Sequence, residues 1–563
     1  MIKLPPAVGL TLVTLMVSAL TLVASTAHAQ GNPGPTTSTP PSTFGPTWDD
    51  PRTAVPPVPV PQTRKCSVTL VNHEFRSWDV LKADYAPPAN CRGPWAKVVL
   101  HLDGKVAGRQ YDRLGWVDVN GVRLLTTSTP EPSAEGISWH VEKDITAQQA
   151  VLRSAGTTEM FLGNTVNETY TGVLDVTVRL DFYMAERSVK VPDVADQVIP
   201  LTDAQRVQGD LVGRVSIPRS TEKLIADVYA TGSGGGCEEF WDLSTPAETG
   251  YSCADGLPYR EVNLYIDGQL AGVALPMAYV YTGGWSNPFL WYNIPSPGAF
   301  DIRALTYDLT PFIGLLNDGK DHELRVTVVG GPEDGSGWTL SPSLWAWTDH
   351  LNRPLKAGLN SVTSPSAAIT STVEGQPGTA GSVDMKASRS FTAEGWVETA
   401  RGRVVTTVTR SLANQSHHTW TQGEGVDTLT ASWSDREVVT SREKNRKPSI
   451  TDTQRQWSKD GELSFLPHTS IAGAHDVTTT LAIAESATVR RTLFGHSLVP
   501  VTTSQKFDGT ASWLYGVPRE QRVATARASE VYNTKGDPEL GCYRHSLVAV
   551  NGFFTEDAVT RTC

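Results

Sequence analysis

Strand signals recur along nearly the whole chain, and stretches with helical periodicity are few and short. Residues 95–106, WAKVVLHLDGKV, alternate in polarity and read as a hairpin turning at Asp103-Gly104. Residues 260–276, REVNLYIDGQLAGVALP, repeat the shape with a turn at Asp267-Gly268. TGVLDVTVRLDFYM (171–184) is a long period-two segment, and GRVVTTVTRSLA, DVTTTLAIAES and EQRVATARASEVY continue the style in the last two hundred or so residues. Thr and Val, abundant throughout, suit a pleated surface. The helix candidates DITAQQAVLRSA and LTPFIGLLNDGKDHEL are short. The expectation is an all-β protein: two tandem antiparallel jelly-roll or β-sandwich domains plus a β-rich C-terminal region.

At 563 residues the chain exceeds a single core. Met1-Ile2-Lys3, an apolar run from Ala7 to Ala24 and the Ala27-His28-Ala29 pattern read as a signal peptide over 1–29, cut before Gln30. The destination is then secreted or periplasmic, with no membrane association after cleavage. Residues 30–62 are rich in Pro, Ser and Thr and read as an extended linker. The first sandwich is placed at 63–205, the second at 206–358 and the C-terminal region at 359–563.

Six cysteines form three sequence-local pairs, Cys66–Cys91, Cys237–Cys253 and Cys542–Cys563. In an exported chain an even count reads as disulfides, and of the fifteen possible connectivities this local set is the expected one. None has C-x-x-C spacing or a His cluster beside it, so no metal is expected, and no cofactor. The net charge of −11 argues against a nucleic-acid partner. G-x-S-x-G, P-loop, H-E-x-x-H and dinucleotide fingerprints are missing from the contexts that would give them meaning, which disfavours those enzyme classes.

Two stretches are dense in functional groups. In residues 108–146, Asp112 lies between Arg109 and Arg113, and opposite charge keeps such an acid ionised and able to orient water. A plain ion pair at a strand end is the competing reading. Glu131 sits between two prolines on a stiff loop. In residues 229–248, a Gly-rich run leads through Cys237 to Glu238 and Glu239, of which an extended chain presents only one to a given side. Phe240 and Trp241 follow and can exclude water from that acid. Among the sixteen tryptophans, Trp285, Trp291, Trp345 and Trp347 fall near loops or strand ends, where they offer either sugar-stacking faces or core packing.

These stretches resemble the peptide N-glycanase A family. The likeness runs in order from about residue 66 to 350 through HEFRSWDVLKADYAPPANCRGPWAKVVLHL, GRQYDRLGWVDVNGVRLLTTSTPEP, GISWHVEKDIT, GGCEEFWDLSTP and PYREVNLYIDGQLAGVALPMAYVYTGGWSNPFLW. It implies an amidase that cuts the N-acetylglucosamine–asparagine amide of a glycopeptide and leaves aspartate. A more distant likeness to the peptide N-glycanase F type implies a site between two jelly rolls, with Asp112-Arg113 as its Asp-Arg pair and Glu239 as its Glu after Cys. Under that resemblance Asp112 and Glu239 are catalytic. Arg109, Arg113, Glu131, Trp139, Glu238, Trp241, Arg260, Trp285 and Trp291 are the expected substrate contacts, and a monomer is expected. An endoglycosidase and a non-catalytic glycan-binding surface protein are the alternatives.

Overall fold

A computed structural model of the protein describes residues 50–132, 136–232, 245, 249–251, 257, 259–277, 279–285, 287–331, 337–376, 378–518 and 521–562. It is all-β. The first unit contains β1 (Lys65–Phe75), β2 (Leu81–Tyr85), β3 (Trp95–Val106), β4 (Leu114–Val119), β5 (Val122–Ser128), β6 (Ile137–Asp144), β7 (Gly156–Leu162) and β8 (Leu174–Met184). They form two four-stranded sheets, ordered β1-β8-β3-β6 and β2-β7-β4-β5. That is the order an eight-strand jelly-roll winding produces. Leu100, Val117, Leu125, Val178 and Phe182 are among the side chains that fill the space between the sheets.

The second unit comprises β9 (Gln197–Pro200), β10 (Thr202–Val207), β11 (Asp210–Val215), β12 (Thr221–Gly232), β13 (Glu261–Ile266), β14 (Gln269–Ala274), β15 (Leu305–Asp308), β16 (His322–Val329) and β17 (Trp338–Thr348). Its sheets run β10-β11-β16-β13-β14 and β15-β12-β17-β9. Because β9 pairs with β17, the change of unit falls before Gln197, ahead of residue 205. The helix candidates shrink to single turns, at Thr146–Gln148, Val151–Arg153, Thr310–Phe312 and Ile313–Leu316.

The C-terminal region is one twelve-stranded antiparallel sheet, beginning with Ala357–Thr363 and ending with Phe553–Thr560. Its central strands reach 20 residues. In Gly402–Thr421 the side chains of Val408, Arg410, Leu412, Asn414, His418 and Trp420 are buried, and those between them are mostly exposed. This is the signature of a sheet covered on one face. The cover is the second sandwich, whose apolar core continues into this sheet. Trp291 stacks on Phe507 with centroids 5.1 Å apart, and Phe289 meets Trp513 at 5.1 Å. Arg410 donates to Thr306 O across the seam (2.9 Å) while holding Asp435.

Two sequence expectations are revised. Asp103-Gly104 is no turn: β3 runs straight through it, with Gly104 paired to Trp139 of β6. A Cβ on Gly104 would fall inside the Trp139 indole, so the glycine makes room for a neighbour. Asp267-Gly268 does turn, with φ of 46° and 79°, as a two-residue hairpin requires. The second revision concerns the linker. From residue 50 it is an irregular but fixed strap. Arg52 N–H reaches Asn293 O (2.8 Å), Ala54 N–H reaches Glu530 (2.6 Å) and Val58 N–H reaches Glu142 (3.1 Å). It thereby touches the second sandwich, the C-terminal sheet and the first sandwich in turn.

Burial pushes Glu530 up to about 7, Glu437 to about 7 and Asp227 to about 6. A carboxyl whose folded pKa lies above its unfolded value stabilises the fold below the unfolded pKa, and that contribution fades as pH rises through the folded one. Melting should therefore occur several degrees higher at about pH 5 than at about pH 8, and Glu530→Gln should reduce the difference in a thermal scan. Gly104→Leu should cost roughly 1–3 kcal/mol or more in chemical denaturation, because the indole has nowhere to move.

Candidate active site

The β3–β4 loop carries Arg109, Gln110, Tyr111, Asp112 and Arg113. Gly108 starts it at φ 113°, where a Cβ would press on Thr171. Thr171 and Gly172 then hold the Arg109 backbone, through Arg109 N–H to Thr171 Oγ1 (3.1 Å) and Gly172 N–H to Arg109 O (2.9 Å). The Arg109 side chain is exposed. Below it, buried Asn164 accepts from Gln110 Nε2 (2.5 Å) and donates to Phe75 O and Gly172 O. Gln110 Oε1 accepts from Tyr111 N–H (3.0 Å) and from the Arg113 guanidinium. The Gln110–Asn164 pair thus sets where Arg113 points.

Arg113 is cross-linked to the loop after β5 by a reciprocal pair: Arg113 N–H to Thr129 Oγ1 (3.0 Å) and Thr129 N–H to Arg113 O (2.9 Å). Two residues on, Glu131 is 2% exposed. Asp112 is half-buried. Burial lowers the Arg113 pKa, and the charges of Asp112, Tyr170, Tyr111 and Glu131 oppose that shift. Burial raises the Tyr111 phenol, with Tyr170 and Glu131 adding to the effect. One electrostatic neighbourhood therefore contains Asp112, Arg113, Glu131 and two tyrosines, whose rings lie 5.7 Å apart. Trp78, 60% exposed, extends it, with the Arg113 guanidinium 5.9 Å from its ring. Its indole N–H is held by Thr165 Oγ1 at 2.8 Å.

The second sandwich abuts this loop. Ser128 N–H and Oγ bond Ala299 O, Ile302 N–H bonds Thr126 O, and the Thr282 hydroxyl bonds Thr129 O. Beside Thr282, Tyr281 donates to Gly232 O (2.6 Å), the last residue of β12. The chain that leaves Gly232 leads toward Glu238, Glu239 and Trp241. These three lie outside the described residues, as do Cys237, Cys253 and Cys563.

The other expected contacts are placed differently. Trp139 packs on Gly104 in the first core and is 4% exposed. Trp285 is fully buried over Gly461, and Trp291 is stacked on Phe507. These rings fill the cores and the seam, because large aromatics at strand ends bury most area where a second sheet covers them. Arg260, 3% exposed, donates to Leu257 O and Gly330 O and so braces two loops. The Cys66–Cys91 disulfide forms, and Cys542 is also disulfide-bonded. Gln110, Tyr111, Asn164, Tyr170 and Trp78 escaped the sequence reading. Trp78 stood in the resembling HEFRSWDV stretch, whereas the Gln110–Asn164 pair spans 54 residues and has no local signal.

The profile of the family described as peptide N-acetyl-β-D-glucosaminyl asparaginase amidase A matches residues 55–365. The peptide-N4-(N-acetyl-β-glucosaminyl)asparagine amidase A of Prunus dulcis is 29% identical over 408 residues, covering 66% of this chain and 69% of the relative. The solved structure of PNGF-II aligns at 14% identity and a TM-score of 0.35, over 51% of this chain and 66% of that one. The match over 55–365 spans both sandwiches and the loops that carry Asp112, Arg113 and Glu131, and the chain belongs to the peptide N-acetyl-β-D-glucosaminyl asparaginase amidase A family.

Proposed function

We propose that the protein hydrolyses the amide between N-acetylglucosamine and asparagine in glycopeptides or glycoproteins, releasing the whole glycan and leaving aspartate. The observation that carries this reading is the meeting of Asp112, Arg113 and Glu131 in one neighbourhood, on a loop clamped against the second sandwich near the root of the Glu239 segment. In the proposed reaction Asp112 activates a water that attacks the asparagine side-chain carbonyl. Arg113, oriented by Gln110, faces the oxyanion that develops, an effect worth roughly 10²–10³ in rate. Glu131 supports the scissile group from the first sandwich. Glu239 gives a proton to the leaving nitrogen, which favours acid conditions. Trp78 replaces Trp285 and Trp291 as the sugar platform, since it alone of the three is exposed. Function outside the cytoplasm is part of the proposal, supported by the leader-like first 29 residues and the Cys66–Cys91 bond.

Incubation with a glycopeptide at about pH 5, followed by peptide mass analysis, separates the readings. An amidase converts Asn to Asp; an endoglycosidase leaves one sugar behind; a lectin leaves the peptide unchanged. Asp112→Asn and Glu131→Gln should each lower kcat by about a hundredfold or more with melting unchanged. Near-normal Asn-to-Asp conversion by both variants excludes this site. Trp78→Ala should raise KM on the order of tenfold with little change in kcat, measured on the same glycopeptide.

A further inference from the structure

The strap-covered face of the β1-β8-β3-β6 sheet carries a cluster that the amide chemistry does not use. His101 of β3 faces Glu142 of β6 across the ladder, and Asp103 faces His140 in the same way. Period two puts all four on one face. Asp181 of β8, paired with Val99, joins them there.

Glu142 Oε1 lies 3.4 Å from His101 Nδ1 and 3.5 Å from His140 Nε2, and the three donor atoms fall within 4.8 Å of one another. A tetrahedral ion with bonds of about 2.0–2.2 Å sets its donors about 3.3–3.5 Å apart. Each of these side chains also has an outer neighbour. His140 Nδ1 is bonded to Asp103 Oδ1 at 2.7 Å. Glu142 Oε2 accepts the Val58 N–H of the strap at 3.1 Å, leaving Oε1 turned to both imidazoles. His101 is 9% exposed, and its Nε2 lies 3.3 Å from Asp181 Oδ2 without hydrogen-bond alignment. Ligation at Nδ1 would fix the proton on Nε2, facing that carboxylate. Asp181 itself is held by Ser67, Lys65 and Arg179. Carboxylates behind histidines are the outer shell that metal ligands need for orientation and basicity.

We propose that His101, His140 and Glu142 bind a first-row divalent cation, with Zn²⁺ the fitting choice for two imidazoles and a carboxylate. The His140 side chain is 46% exposed and that of Glu142 28%, so the fourth position opens to solvent. With Val58 on the same carboxylate, the ion acts as a clip that stiffens the strap against the first sandwich. The alternative occupant of these charges is protons on the imidazoles, and binding measurements distinguish the two.

The test uses the full chain, treated with chelator and titrated with ZnCl₂ by calorimetry at about pH 7.5, above the ordinary imidazole pKa. One equivalent should bind, and melting should rise with added zinc. Co²⁺ in place of Zn²⁺ should give the visible d–d absorption of a four-coordinate site. His140→Gln and Glu142→Gln should weaken binding by a hundredfold or so. Asp103→Asn, which removes an exposed carboxylate that is no ligand, should weaken it by about tenfold with the fold intact by circular dichroism. The proposal is overturned if the wild-type chain binds no zinc saturably, or if His140→Gln and Asp103→Asn both bind it as wild type does.

Discussion

Three hydrogen bonds join Thr126 and Ser128 of the first sandwich to Ala299 and Ile302 of the second. They continue the edge of β5 into the other unit's chain, and Lys143 reinforces the joint by reaching Asp301 at 2.6 Å and Tyr229 at 3.2 Å. Backbone polar groups at a sheet edge must find partners, and here they find them across a domain boundary. Everything proposed for the site depends on this joint. It fixes the loop after β5, and through Thr129 that loop fixes Arg113. Through Thr282 and Tyr281 it also fixes the end of β12, from which the Glu239 segment departs.

The C-terminal sheet makes the joint rigid from behind. The segment 285–312 contributes Trp285, Phe289 and Trp291 to the shared core, so neither the second sandwich nor the long sheet has a complete apolar interior alone. Buried ion pairs such as Arg410–Asp435 cross little distance and give little net stability, but breaking one leaves an uncompensated charge. Asp435 holds Arg410 where its guanidinium donates to Thr306 O across the seam to the second sandwich. The strap completes the arrangement, with buried Glu530 receiving Ala54 N–H and Gln505 Nε2 at the far sheet.

The same Asp-Gly dipeptide had opposite outcomes at 103–104 and 267–268. Local turn preference is identical at the two positions. The difference is Trp139, which lies across the ladder from Gly104 and takes the space of its missing side chain. The tryptophans teach a similar lesson. Trp285 and Trp291 flank loops in sequence, yet the covering sheet buries them, while Trp78, in a stretch that carried no site residue, stays exposed beside Arg113. The two His-x-acid pairs at 101–103 and 140–142 were visible as letters but not as a cluster. Their meaning depends on a register of 41 positions, His101 against Glu142.

Sequence alone determined the all-β class, because period-two alternation and turn chemistry are local and repeat in nearly every segment. It also singled out Asp112, Arg113 and Glu131, because charge flanked by charge, or held between prolines, departs from strand patterning. Only the tertiary structure decided that these three share one neighbourhood, which aromatics are core, and that the proline-rich strap is fixed. Each of those depends on contacts between residues far apart in the chain, and burial is a property of what lies on the other side.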